Sequence, residues 1–283
     1  MRKLKIIPLF RSNSAVSYAI SAILISSTII VLVLVASIYA YQIIEQQRGT
    51  AEFNVVTKSI IAFNDALESV AWKPGAVLSS RFTIQYGELR LIPDKSLYAN
   101  NINVLATISS DGVERTLYSN TSSLVSYYIR TMYVTFGGPY QSYILGNESS
   151  LLVGSTGNYG RAVINQITGW VYITLDYRVR VMLSSTIKVN GIMTTYVDVW
   201  VIKIVLPKEI AGYQYYAYIH DFDLKARCLK VQATPYGPYD AASNSKVTFE
   251  VTVGNGNPSS SSIDLVTGKV VFNVIVAEVR VYI

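Results

Sequence analysis

The chain has 283 residues, enough to bury one large core or two modest ones, and carries a formal net charge of +6. Four basic residues near the start, Arg2, Lys3, Lys5 and Arg11, leave 20 basic side chains against 18 acidic in the rest, a near-neutral balance that excludes nucleic-acid binding. Cys228 is the single cysteine, so no intrachain disulfide can staple the fold, and packing and sheet hydrogen bonds must hold it.

From Ser12 to Ile44 the chain runs 33 residues without a charged side chain. As one helix, at ~1.5 Å per residue, this stretch is roughly 50 Å long, more than the ~30 Å that a bilayer core requires. It is predicted to be a transmembrane helix over 16–44. The basic residues ahead of it place the N-terminus in the cytoplasm and everything after Glu45 outside the cell membrane. Small residues recur at four-residue spacing, in the pairs Ser17 and Ser21, Ala22 and Ser26, Ala36 and Ala40; such pairs let helices pack closely, though Ala and Ser are also common in any membrane helix.

Beyond Glu45 the helix is expected to continue into water over 45–71. Phe53, Val56, Ile60, Phe63, Leu67 and Val70 form a stripe at spacings of three and four, with Glu45, Arg48, Glu52, Lys58, Asp65 and Glu68 elsewhere on the surface. The stripe must bury against something: the chain's own head is the expected partner, an intersubunit coiled coil the alternative. Gly49 reads as a weak point or kink between the two halves. Trp72-Lys73-Pro74-Gly75 ends the helix, because proline cannot continue it and glycine tolerates the reversal.

Residues 76–283 read as β throughout. Strands are predicted at 81–86 and 88–92, around Gly87, and 103–109 pairs with 113–118 across Asp111-Gly112. A strand over 124–136 stops at Gly137-Gly138-Pro139. Residues 140–168 hold weaker strands or a long loop, where a boundary would divide the head in two. The best-marked hairpin joins 170–184 to 192–206 at Asn190-Gly191, and the apolar end of its second arm suits a strand covered on both faces. Strands at 213–219, 224–233, 246–253 and 269–283 complete the set. Gly254-Asn255-Gly256-Asn257-Pro258 and the serines 259–262 read as a low-complexity loop. The fold class is therefore mainly β with one long N-terminal helix, its amphipathic second half packed on one or two sandwich-like units.

Chemistry is sparse. His220, the single histidine, stands with Asp221 and Asp223 in what reads as a solvated turn; as metal ligands or as the base of an anchored hydrolase the three form a weak signal. Cys228 is expected to face a core as a small hydrophobe. No nucleophile, metal or phosphate-loop motif is present, so neither an enzyme nor a cofactor or metal site is expected. Sequons at Asn120 and Asn147 are candidate glycosylation sites in predicted turns. The 22 tyrosines suit broad, half-buried sheets; groups such as Tyr140 with Tyr143, or Tyr213, Tyr215, Tyr216 and Tyr218, could meet a sugar or another surface ligand, but sheet composition alone accounts for them.

The start of the apolar run, Ala15-Val16-Ser17-Tyr18-Ala19-Ile20-Ser21-Ala22-Ile23-Leu24-Ile25 behind a basic leader, resembles the class III signal of archaeal type IV pilins. Ala15 stands where that pattern usually has Gly, and Tyr18 where it often has Pro. The resemblance implies cleavage by a prepilin-type peptidase between Ala15 and Val16, removal of residues 1–15, and an apolar helix kept on the mature protein. It further implies a non-enzymatic pilin-like subunit of a surface filament, partnered by identical or related subunits. The head is large for a principal subunit, which favours a minor, tip or adhesion-bearing one. The alternative is an uncleaved, membrane-anchored extracytoplasmic binding domain that does not polymerise. A conventionally cleaved secretory signal fits poorly, since the run is too long and Ile38 stands third before the nearest small-residue site, after Ala40.

Overall fold

A computed structural model of the chain describes residues 13–207, 216–254 and 256–283. One helix, α1, spans Asn13–Ala71. Among the described residues fourteen strands follow: β1 Val77–Ile92, β2 Asn100–Ile108, β3 Glu114–Ser122, β4 Leu124–Arg130, β5 Tyr140–Leu145, β6 Leu151–Val153, β7 Gly160–Ile167, β8 Trp170–Tyr177, β9 Val179–Val189, β10 Ile192–Val205, β11 Tyr216–Ala241, β12 Lys246–Val253, β13 Ser259–Asp264 and β14 Gly268–Tyr282. The molecule is mainly β with one long N-terminal helix. It divides after Arg48, and Gly49–Ile283 is a single compact unit, so no domain boundary falls in 137–168. That segment instead supplies β5, β6 and β7 to the large sheet.

Ten strands make the large sheet, in the order β5-β7-β8-β4-β1-β11-β14-β10-β9-β6, and four make a smaller one, β13-β12-β2-β3. The large sheet is rolled. β8 stands third and β9 ninth, six spacings apart, which at ~4.8 Å each would be roughly 29 Å in a flat sheet. Yet only Arg178 separates them in sequence, a step of at most about 7 Å. The two ends of the sheet must therefore curl toward each other, around the second half of α1.

Arg178 also explains why the expected strand over 170–184 breaks. Its N–H bonds to Tyr159 O at 2.8 Å instead of to a ladder partner. Its guanidinium reaches Asn147 Oδ1 at 3.1 Å and Asn158 O at 2.5 Å. Arg161 bonds to Glu148 O at 3.0 Å, and Arg180 bonds to Gly157 O with its guanidinium over the Tyr159 ring. Three arginines thus pin the connection between β5 and β7. Burial and the neighbouring Arg161 hold the Arg178 guanidinium below its usual pKa.

Two cores lie on opposite faces of the large sheet, and its long central strands serve both. On β10, Val197, Val199 and Val201 face the small sheet, whereas Ile202 and Ile204 belong to the core around α1. On β14, Val270, Phe272 and Val274 face the small sheet, and Ala277, Val279 and Val281 face the helix core. Side chains alternate across a strand, so the change of parity, odd to even on β10 and even to odd on β14, is a change of the buried face. This is the origin of the continuous apolar run at Val199-Trp200-Val201-Ile202.

The turns follow local chemistry. Asn190 and Gly191 have φ of 51° and 85°, the paired positive values of a two-residue hairpin, and join β9 to β10. Asp111-Gly112 joins β2 to β3; there Asp111 bonds to Val113 N and Arg115, and the arginine holds its carboxyl below the usual range.

Other expectations are corrected. The strand from Leu124 ends at Arg130, because Tyr133 turns back to pack on Gly49 and, edge-on at 5.0 Å, on Tyr86. A Cβ at Gly49 would lie 2.5 Å from that of Tyr133, so this glycine, which lies within α1, permits close approach and makes no break in the helix. The serines 259–262 belong to edge strand β13, with Ser262 and Thr248 hydroxyls 2.9 Å apart. β11 merges two expected strands and continues to Ala241 through Pro235 and Pro238; past Arg227 it pairs with β14 alone, so its open side does not need the missing N–H groups.

Candidate functional site: the two halves of the long helix

Residues 20–48 of α1 form the exposed half. α1 is long and apolar enough to cross a membrane, and none of its most apolar stretch is buried within the chain. From Tyr18 to Ile44 the large apolar side chains are 38% to 79% exposed. Four hydroxyls there bond to the helix's own carbonyls: Ser26 to Ile23 O, Ser27 and Thr28 to Leu24 O, and Ser37 to Val33 O, all within 3.0 Å. A helix whose polar groups pair within itself needs no water, so it can lie in hydrocarbon or against other helices. Ser17, Ser21, Ala22, Ser26, Ala36 and Ala40 are exposed. The backbone of Ala15 and Val16 lies within α1, so the expected cleavage point falls on the helix. Arg2, Lys3, Lys5 and Arg11 lie outside the described residues.

Residues 49–71 are the docked half. Phe53, Val56, Ile60, Phe63, Leu67 and Val70 are all 6% exposed or less and belong to the core inside the rolled sheet. At about 1.5–3 kcal/mol for each fully buried apolar side chain, the stripe contributes on the order of 10 kcal/mol. The stripe is thus buried within the chain itself and is not free for a coiled coil. Phe63 meets Phe82 edge-on at 6.4 Å, and Phe53 lies 6.4 Å from Tyr127.

Polar contacts fix the register of this docking, and they escaped the sequence reading. Glu52 reads as a solvated helix charge. In the structure its carboxylate accepts the N–H groups of Gln85, Tyr86 and Gly87 at 2.7, 2.9 and 2.9 Å, and the Tyr127 hydroxyl at 2.7 Å. These three N–H groups lie where β1 shifts register between Ile84 and Leu89. The helix therefore completes the hydrogen bonding of a bulge. Gly87 is required there, because a Cβ would sit within 2.5 Å of the Tyr127 ring. Burial, with Glu52 alongside, pushes the Tyr127 phenol far above its ordinary pKa. One turn from the helix end, Glu68 accepts the Gly160 N–H at 2.8 Å and the Asn64 amide at 3.0 Å. The only local signal of either contact is a carboxylate beside an apolar stripe, which is also the signature of an ordinary amphipathic helix.

Cys228 lies fully buried on β11 and donates its thiol hydrogen to Ala71 O at 3.1 Å, satisfying one of the open carbonyls at the helix end. Burial raises its pKa, and the side chain packs as a small hydrophobe. Gly75, at φ 86°, closes the reversal with a bond from its N–H to Cys228 O, and Trp72 packs edge-on against Trp200 at 4.9 Å.

The remaining candidates do not converge on one site. His220, Asp221 and Asp223 lie within β11, not in a turn, and Asp221 pairs with Arg81 at 3.3 Å. Among the described residues no three His, Cys, Asp or Glu side chains come together as metal ligands. Asn120 is exposed but stands in β3, where its side-chain oxygen accepts Lys203 Nζ at 3.1 Å. Asn147 is exposed in the loop after β5, and its oxygen accepts the Ser149 N–H and Arg178. Tyr140 stacks on Phe136 at 4.2 Å, and Tyr218 lies 5.9 Å from Phe222. Tyr213, Tyr215 and the side chain of Tyr216 fall outside the described residues.

No protein-family model, no characterised protein and no solved structure matches this chain.

Proposed function

We propose that this protein is a non-enzymatic component of the cell surface, held through the first half of α1 and presenting its β-rich head outside the cell. The observation that carries the reading is the contrast within one helix. Its docked half is buried in the head, whereas its other half belongs to a run of 33 uncharged residues whose described large apolar side chains are all exposed. Such a surface needs a bilayer or a bundle of similar helices around it. The basic leader, the Ala15-Val16 junction and the small-residue pairs favour the second environment after cleavage, as in an archaeal pilin-like subunit of minor, tip or adhesive type. Before cleavage the leader would lie in the cytoplasm with the helix in the membrane. The partners would then be a prepilin-type peptidase and identical or related subunits. Asn120 and Asn147 are the residues where glycans would be sought on the exported head.

The test is the N-terminal residue of the protein recovered from membranes and from sheared surface material. A chain beginning at Val16, or within a residue or two, supports the pilin-like reading. Persistence of Met1 throughout would leave a membrane-anchored surface domain, because a retained basic leader is costly to place in an apolar helix bundle.

A further inference from the structure

The face of the large sheet turned away from α1 carries a built groove. Four side chains stand opposite one another across four strands: Tyr128 on β4, Tyr172 on β8, Asn165 on β7 and Gln141 on β5. The next row includes Ser126 and Thr174, whose hydroxyls are 3.2 Å apart. A third holds Arg161 opposite Asp176. Tyr98, Asn100 and residues 256–259 also line the groove, whose volume is about 700 Å³, within the usual span of small-ligand sites.

The lining selects its ligand by what it offers and what it withholds. Tyr128 and Tyr172 stack at 5.1 Å with 16° between planes. Arg90 lies 3.9 Å from the Tyr128 ring, and Asn165 and Gln141 continue the row beyond Tyr172, on the side away from Tyr128. An aromatic face beside two primary amides and a hydroxyl pair can stack on the C–H face of a sugar ring while donating to and accepting from its hydroxyls. Of the charged groups lining the groove, Arg161 and Asp176 neutralise each other in a bidentate pair at 2.8 and 2.7 Å, both buried, and the third is the acidic Glu148. Among the described residues lining the groove, no unpaired cation is left to hold an anion. Val163, opposite Thr174, with Ile92, Leu124 and Ile167, adds apolar surface for the C–H faces of a sugar chain between these polar groups.

We propose that this groove binds a neutral oligosaccharide, with one ring stacked on Tyr172 and its hydroxyls held by Asn165, Gln141 and the Ser126–Thr174 pair. The proposal deepens the surface-contact part of the function proposed above and rests on the head facing outward. N-terminal sequencing tests the anchor separately, so either can fail without the other.

The experiment uses the full chain in lipid nanodiscs, free of sugar-based detergent, titrated calorimetrically with maltotetraose, mannotetraose, chitotetraose and the anionic trigalacturonate. Saturable binding of at least one neutral probe is expected. Tyr172→Ala should abolish it, and Asn165→Ala should weaken it at least 10-fold while leaving the melting temperature unchanged. The second variant keeps the test valid if the first disturbs the sheet. Absence of saturable binding by every neutral probe overturns the proposal. So does wild-type affinity in Asn165→Ala, or tighter binding of trigalacturonate than of any neutral probe.

Discussion

The two halves of α1 share one backbone conformation and differ in what their surfaces ask for. Residues 20–44 are uncharged on every side and exposed; residues 49–71 are apolar on one side and buried there. A helix apolar all round is satisfied only by an environment apolar all round, whereas a one-sided stripe is satisfied by a single sheet face. The contrast teaches that the helix performs two separable tasks, and each can be broken without the other.

The largest effect should come from charging the exposed half. Val31→Lys combined with Val35→Lys adds roughly 2.5–3.5 kcal/mol per lysine at a membrane centre. The doubly substituted protein should move from the carbonate-resistant membrane pellet to the soluble fraction; retention in the pellet would contradict an anchoring role for this half. Next in size is truncation in the docked half. Phe63→Ala should lower the head's unfolding free energy by about 3–5 kcal/mol in urea, because it empties part of a close-packed core. Leu32→Ala, in the exposed half, should change it by less than about 0.5 kcal/mol. Equal effects would erase the distinction between the halves.

The smallest effect is read in alkali and sharpens the account of how the docked half is held. Burial raises the phenols of Tyr127 and Tyr177 above the ordinary 10.0, for Tyr127 with the Glu52 carboxylate adding to it. A group whose folded pKa is raised contributes its full stability below the unfolded value and loses it as pH climbs past that value. Head stability should therefore hold up to about pH 10 and fall above it. The two phenols should ionise together with unfolding, so tyrosinate absorbance should show a late step coincident with loss of near-ultraviolet circular dichroism. Complete ionisation before that loss would mean that neither hydroxyl is sealed as described.

Much of this organisation could be read from local pattern. The uncharged run, the stripe from Phe53 to Val70, the stop at Trp72-Lys73-Pro74-Gly75 and the turns at Asp111-Gly112 and Asn190-Gly191 all follow from spacing or from φ preferences within a few residues. What could not be read depends on partners distant in sequence. Glu52 finds its donors 33 to 35 residues on, in β1, and 75 residues on, at Tyr127. The break at Arg178 depends on the loop it pins, and the serines of β13 become a strand only because β12 presents a complementary edge. The groove was hidden for the same reason: alternation puts Tyr128 and Tyr172 on outward faces, but only strand order sets them beside Asn165 and Gln141.

The place of β14 has a consequence in time. It follows in sequence every strand it joins, yet it stands between β11 and β10 and contributes to both cores. As the polypeptide is made, the helix stripe and the first two strands of the small sheet, β2 and β3, are complete long before the strand that closes over both cores, while β12 and β13 only just precede it. Closure depends on pairings far apart in the chain, the slow kind, so the nascent head must keep its apolar surfaces from other chains until its final strand arrives.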